Sequence, residues 1–509
     1  MSVIPILDAS PSGAPHAGTK RHDALASAMV AAREAQRSWA AMPLRQRLGV
    51  IRRLRHLIAR HAEELAVAVP LSIPGSLQRS IADTLVAEVL PLAEACRFLE
   101  RDAPSILAPR HLSRRGQPFF LRGVEAIVER SPWGIVLVLG PANYPLFLPA
   151  VQALHALAAG NAVLWKPAAT GATAASQIAS LLRQAGLPPH LATVIDTDVR
   201  AAEAALSLGV DKVVLTGHAS TGRTVLHSLA ETSTPAVMEL SGCDAVFILP
   251  GADLHHAARA IAFGLRLNGS ATCMAPRRLF LASGEKERFL PALLQALSAI
   301  PPVPLSPRTA AELQALINDA ESAGGQVLNP PHPVDNACMQ PVVITGATPE
   351  MLCMRTDIFA PLISIMEFTS ELAAADAYRV CPYSLTASVF GPGREAAAFS
   401  RTLRAGTVLI NDIIVATADP RLPFGGRGQS GYGVTRGDEG LLEMTTVRSI
   451  VTQHSRSAQA YSPASTAHAP FFSAYIRAAH SATWLQRLRA FGKLVKAARR
   501  LPPTPSEKK

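Results

Sequence analysis

The stretch LNGSATCMAP, Leu267 to Pro276, places a cysteine among small and polar residues. Thiolate chemistry needs an accessible cysteine with a base nearby. Cys273, beside Asn268, Gly269, Ser270 and Thr272, fits a loop between two lobes. A buried, inert thiol is the competing reading, because free cysteine is among the most buried residue types. The matching base is Glu239 in AVMELSGCDAVFIL. An acid between an apolar run and a glycine turn is a poor surface charge. At an α/β strand end it faces the crevice where ligands bind. The competing role is a salt-bridged strand-end acid.

Three further groups could complete such a site. In GPANYP, Asn143 follows a strand end and is flanked by stiffening prolines. A rigid loop amide can donate to an oxyanion, or simply close an Asx turn. In LTGHASTGR, Gly217 and Gly222 bracket a strand-to-helix turn, predicting backbone N–H groups free for a phosphate and a helix over 221–231. Lys166, ending LWK, suits a cofactor hydroxyl or phosphate, or snorkels to solvent.

These residues need a scaffold, and the chain reads as α/β. Residues 20–70 and 80–100 are helical, with Leu48, Ile51, Leu54, Leu57 and Ile58 on one stripe. From about residue 124 strands alternate with helices, and a second series follows Cys273: two doubly wound lobes. Ser131 to Trp165 carries no charged side chain, yet Pro141, Pro145 and Pro149 exclude one spanning helix. It reads instead as strand, loop, helix and strand, apolar because buried on both faces.

With 49% apolar and 17% charged residues, the chain has ample material for a core. Six scattered cysteines without a CxxC pair argue against zinc and against a disulfide scaffold. The N-terminus lacks a secretory pattern, so the cytoplasm is the expected location. The net charge of +11 is local. Phe471 to Lys509 holds nine Lys and Arg against Glu507, leaving only +3 elsewhere. Nucleic acid is therefore not an expected partner.

In order, SPWGIVLVLGPANYP, ALAAGNAVLWKPA, DKVVLTGHASTGR, MELSGCDAVFIL, NGSATCMAPRRLFL, DIFAPLISIMEF, YSLTASVFG, AGTVLIND and PFGGRGQSGYG resemble the aldehyde dehydrogenase superfamily, from about His22 to Gln453. The 34-residue separation of Glu239 and Cys273 is also similar. NYP and TCMAP lean toward the class 3 or fatty aldehyde branch. The resemblance implies an α/β fold of two doubly wound lobes with a small β oligomerisation element. It implies an N-terminal helical part (1–117), an oligomerisation strand region (118–131), a Rossmann-like cofactor domain (132–242), a catalytic domain (243–425) and a return segment with a late strand (426–454).

It further implies NAD or NADP as cofactor and oxidation of an aldehyde to an acid. Cys273 would be the nucleophile, Glu239 the hydrolytic base, and Asn143 with the Cys273 N–H the oxyanion donors. Lys166, Gly217, His218, Gly222, Asp357 and Phe359 would contact the cofactor. A homodimer or homotetramer is implied. Acyl transfer to coenzyme A and a non-catalytic scaffold are the alternatives.

The chain departs from the family pattern at four places. Asp357 stands where a glutamate binds the nicotinamide ribose, and its side chain is about 1.5 Å shorter. Ala169 stands where an acid commonly reads the adenosine ribose, which removes repulsion against a 2′-phosphate. Ser270 and Ala271 replace Gly-Gln, and Ser241 and Ala142 replace Gly and Trp.

Residues 455–470 read as a flexible linker. Beyond it, 471–509 is a basic tail in which 471–500 form an amphipathic helix with Trp484, Leu485, Leu488, Phe491 and Val495 on one face. A membrane surface, a protein partner and the protein's own body are the three surfaces it fits.

Overall fold

The computed structural model describes residues 15–70, 79–118, 121, 123–328, 338–454, 466 and 468–501. The expected linker lies largely outside the described residues, as do residues 1–14. Two units emerge: residues up to Ala108 with Glu129–Arg448, and Pro109–Val128 with Ser449 onward.

The first unit is built on two sheets. One runs Ala192–Val194, Ala162–Lys166, Ile135–Leu139, Lys212–Gly217 and Ala236–Leu240, all parallel, closed by the antiparallel pair Gly431–Tyr432. In chain order that is 3-2-1-4-5, so the order reverses between Ile135–Leu139 and Lys212–Gly217. The second sheet carries Asp244–Ile248, Pro276–Ala282, Val342–Thr345, Leu362–Phe368, Thr386–Phe390 and Thr407–Ile410 in parallel, with Gln326–Val327 antiparallel at one edge. The chain passes from one sheet to the other through the three residues between Leu240 and Asp244, directly after the candidate base Glu239.

The uncharged run becomes strand Ile135–Leu139, helix Phe147–Ala159 and strand Ala162–Lys166. That helix is buried on nearly every side, as an all-apolar helix must be. Gly160 closes it in the left-handed region at φ 101°. Leu48, Ile51, Leu54 and Ile58 pack into the same core, with Leu57 at its edge. Helices Leu254–Arg266, Pro307–Ser322 and Glu371–Val380 were not drawn from the sequence.

The strands expected near 118–131 and 444–453 appear as Val124–Pro132 and Thr445–Gln453, in one three-stranded sheet with Arg110–His111. The tail is two helices, not one: His468–His480 and Trp484–Ala498. Thr483 caps the second, its hydroxyl accepting from Gln486 N–H while the Gln486 side chain accepts from Thr483 N–H. The capping box breaks a pattern whose amphipathic spacing alone would run straight through.

Candidate active site

A cleft of about 670 Å³ opens where the first sheet reverses. Pro141, Ala142 and Asn143 line it from the end of one strand, and Thr216, Gly217 and His218 from the end of the next. Thr356, Asp357, Ile358 and Phe359 face it from the second lobe. A smaller apolar cavity of about 170 Å³ meets it from the other side, walled by Phe147, Phe263, Met274, Ile414 and Phe424 among others. Leu148, Glu239 and Cys273 line both. The two residues set apart by 34 positions in sequence thus sit where the larger cleft and an apolar tunnel join.

Cys273 is delivered by an unusual turn. Helix Leu254–Arg266 ends at Leu267, and Asn268, Gly269 and Ser270 all take positive φ (53°, 58° and 66°). For Ser270 this is a strained conformation that glycine would adopt freely. Arg277 holds it: one guanidinium nitrogen donates to Ser270 Oγ at 2.7 Å and another to its carbonyl at 2.6 Å. On the opposite side, a Cβ on Gly242 would stand 2.6 Å from the Cys273 carbonyl oxygen, so only glycine lets the interlobe crossover pass beneath the nucleophile. The thiol is half-buried, and its backbone N–H has no acceptor among the described residues. Burial foremost, then the carboxylates of Glu239, Asp244 and Asp357, push its pKa well above the ordinary thiol value, while Arg436 opposes them.

Asn143 Nδ2 donates to Ala271 O at 2.9 Å, which leaves its second N–H to the cleft. Its loop is clamped by a buried network. Arg79 is ion-paired with Glu88 and donates to Asn143 O and to Asn268 Oδ1. Glu88 Oε2 accepts from the N–H groups of Leu146 and Phe147. Asn268 Nδ2 donates to Asn143 O at 3.0 Å. Neither Arg79 nor Glu88 was singled out from the sequence, although a lone acid within LVAEVLPL was a signal. Removing one partner of such a pair strands a buried charge. Glu88→Ala is expected to cost about 3–5 kcal/mol, read by urea denaturation, whereas a surface change such as Glu312→Ala should cost little.

Glu239 is fully buried on strand Ala236–Leu240. Thr435 Oγ1 donates to its Oε2 at 2.8 Å, and Oε1 has no hydrogen-bond partner. Burial raises its pKa above the carboxylate range, against the pull of Arg436 and the Thr435 hydroxyl. Thr435 and Arg436 were also missed. They follow the glycine-rich motif directly, and an arginine inside GVTRG was the available clue.

The expected cofactor contacts divide. Gly217, His218, Asp357 and Phe359 line the cleft. Lys166 is half-buried at its strand end, where its carbonyl accepts from Gly140 N–H and its side chain makes no hydrogen bond among the described residues; burial lowers its pKa, against Asp198 and Asp196. Gly222 is a correction. Helix Ala219–Ala230 begins two residues before the expected 221, because the His218 ring caps Ser220 N–H. Gly222 therefore lies inside the helix, donating to His218 O, and a Cβ there would meet Leu240 Cδ1 at 2.7 Å. The absence of a side chain there lets the helix pack closely on the strand. The shorter Asp357 lies 3.9 Å from Arg277 Nε, and its Oδ1 lacks a hydrogen bond. Burial lifts its pKa to about 7 despite that arginine.

The aldehyde dehydrogenase family model matches residues 6–450, and the chain belongs to that family. A 4,4'-diapolycopene aldehyde oxidase of Methylomonas sp is 30% identical, over 83% of this chain and 81% of its own. A betaine aldehyde dehydrogenase of Cereibacter sphaeroides is 31% identical, over 83% and 88%. Among solved structures, an indole-3-acetaldehyde dehydrogenase in complex with NAD+ aligns at a TM-score of 0.77 and 25% identity, covering 84% of this chain and 89% of its own.

Proposed function

We propose that the protein oxidises an apolar aldehyde to its carboxylic acid with NAD+ or NADP+. The observation that carries this is the convergence of Cys273 and Glu239 at the junction of a nucleotide-sized cleft and an apolar tunnel. The cleft fits a dinucleotide: it lies at the strand-order switch, ends on a helix N-terminus at Ala219, and presents Lys166 and the unpartnered Asp357 Oδ1 nearby. Bound NAD(P)+ supplies the hydride acceptor.

The chain's own groups do the rest. Cys273 sulfur adds to the aldehyde carbon, losing its proton to Glu239 or solvent. The free Asn143 N–H and the Cys273 backbone N–H stabilise the oxyanion, each donor contributing about 3 kcal/mol. Loss of hydride from carbon leaves a thioester on Cys273. Glu239 takes a proton from water, the water oxygen forms the new C–O bond, and the C–S bond breaks to release the acid. A buried base beside the thioester favours hydrolysis over transfer to coenzyme A.

Gly242→Ala is expected to push the Cys273 carbonyl aside and lower kcat about 100-fold, with nucleotide binding little changed, in steady-state kinetics with a saturating aldehyde. Ala169 is exposed and uncharged at its position, so NADP+ should be tolerated at least as well as in a typical NAD+-specific member of the family. An NAD+ affinity a hundredfold tighter would contradict that.

The remaining parts complete the reading. Strand Thr445–Gln453 lies at a sheet edge with Val447, Ile450 and Val451 exposed, which supports pairing with a second copy. The tail helices pack on one another, and their buried residues are Ala474, Ala490 and Ala497. By helical geometry Trp484, Leu488, Phe491 and Val495 lie opposite that alanine seam, and all are exposed, Trp484 by 71%. Seven Lys and Arg and no acid accompany them from Phe471 to Leu501. That is the composition of a helix lying on an anionic membrane. No helix among the described residues is long and apolar enough to cross one.

NAD(P)H absorbance with aldehydes of rising chain length tests the substrate. Turnover should rise with chain length, and short polar aldehydes outperforming long ones would overturn the apolar reading. Sedimentation with phosphatidylserine vesicles tests the tail. Wild type should pellet and a chain lacking 456–509 should not; equal behaviour would remove the membrane role.

A further inference from the structure

Arg436 is fully buried, 5% exposed, in the wall of the apolar cavity that also holds Glu239 and Cys273. Its guanidinium lies 4.5 Å from the Phe424 ring centroid and 5.8 Å from that of Phe147. One terminal nitrogen donates to the Thr417 carbonyl, and Nε has no hydrogen-bond partner. Its neighbour Thr435 holds Glu239 Oε2. A buried cation with no bonded carboxylate is costly unless a nearby charge compensates it.

We propose that Arg436 is the counter-ion of the catalytic pair, a positioning residue that keeps charge on the Glu239 carboxylate and the Cys273 thiolate inside an apolar cavity. This rests on Cys273 and Glu239 acting as nucleophile and base. The groups facing the thiol are otherwise mostly acidic: Glu239 on its strand, Asp244 at the start of the next, and Asp357 from the second lobe, with Arg277 beside it. The Tyr144 phenol faces it from the Asn143 loop and stays neutral, its pKa pushed up to about 12. Arg436 is the cation that opposes burial at both Glu239 and Cys273. It is poorly suited to hold a substrate carboxylate, which would meet the Glu239 carboxylate in the same space. The aromatic rings fix the guanidinium by stacking and leave its charge uncompensated except by the pair.

The test is the rate of Cys273 alkylation by iodoacetamide against pH in the full-length protein, resolved by peptide mass spectrometry so that the other five thiols do not contribute. Removing an opposite charge that shares a cavity with the titrating group moves its titration by about one to three units when the two lie close. Arg436→Met should shift the Cys273 profile upward by about one unit or more, and Arg436→Lys should remain near wild type. The double variant Arg436→Met, Glu239→Gln should move back toward wild type, because the carboxylate that Arg436 offsets is gone. It should also recover part of any melting temperature lost in the single variant. Superimposed wild-type and Arg436→Met profiles would overturn the proposal, and so would strictly additive melting losses in the double variant. Neither result touches the assignment of Cys273 as nucleophile, which is tested separately by turnover of aldehyde in Cys273→Ala.

Discussion

Cys273→Ala is expected to abolish aldehyde-dependent NAD(P)H formation, a loss of about 10⁴-fold or more. The size of the effect follows from covalent catalysis: without sulfur there is neither an oxyanion to stabilise nor a thioester to hydrolyse. Five other cysteines cannot substitute. Cys96, Cys243, Cys353 and Cys381 are buried, and none of the five lines the tunnel or the cleft. The change removes only a half-buried sulfur, so the fold and nucleotide binding persist. Steady-state absorbance with an equilibrium nucleotide titration on the same preparation separates the two. Cys273→Ala with wild-type turnover would end the reading.

Glu239→Gln behaves differently. Steady-state turnover should fall about 10²–10⁴-fold, the range of a lost general base, while the first turnover should survive as a burst of one NAD(P)H per site. Glutamine is nearly isosteric and can still accept the Thr435 hydroxyl. It also removes a carboxylate that disfavours the Cys273 thiolate, so formation of the thioester is spared. Its hydrolysis is not. Rapid-mixing absorbance should show this as a fast phase of unit stoichiometry followed by a slow steady state. Loss of the burst together with turnover would make Glu239 essential to the attack itself.

The scaffold was legible because its signals are local. Apolar runs bounded by glycine and proline named the strands around Cys273, and the uncharged run resolved into two strands and a buried helix once its prolines were respected. Asn143, Glu239 and Cys273 were legible as candidates because each breaks the pattern around it. What was hidden is contact across the chain. Thr435 meets Glu239 from 196 residues away, and Arg79 reaches Asn268 over 189. No periodicity carries such pairings, and the lone acid in LVAEVLPL and the arginine in GVTRG were the traces. Gly222 shows a local signal misread: strand, glycine, four residues, glycine suggests a phosphate loop, yet the His218 cap starts the helix early and turns that glycine toward Leu240. Asp357 shows the converse. Its short side chain was plain, but Arg277, which draws it in, acts on it from 80 positions away. The tail helix broke at a capping box that was readable in TWLQ and was outweighed by continuous amphipathic spacing.

The most direct measurement is intact and peptide mass spectrometry of Glu239→Gln mixed with NAD(P)+ and a medium-chain aldehyde, then quenched in acid. The account predicts one acyl adduct per chain, on the peptide containing Cys273, absent without nucleotide and absent in Cys273→Ala. NAD(P)H formation with no adduct on Cys273, or an adduct on any other residue, would contradict it.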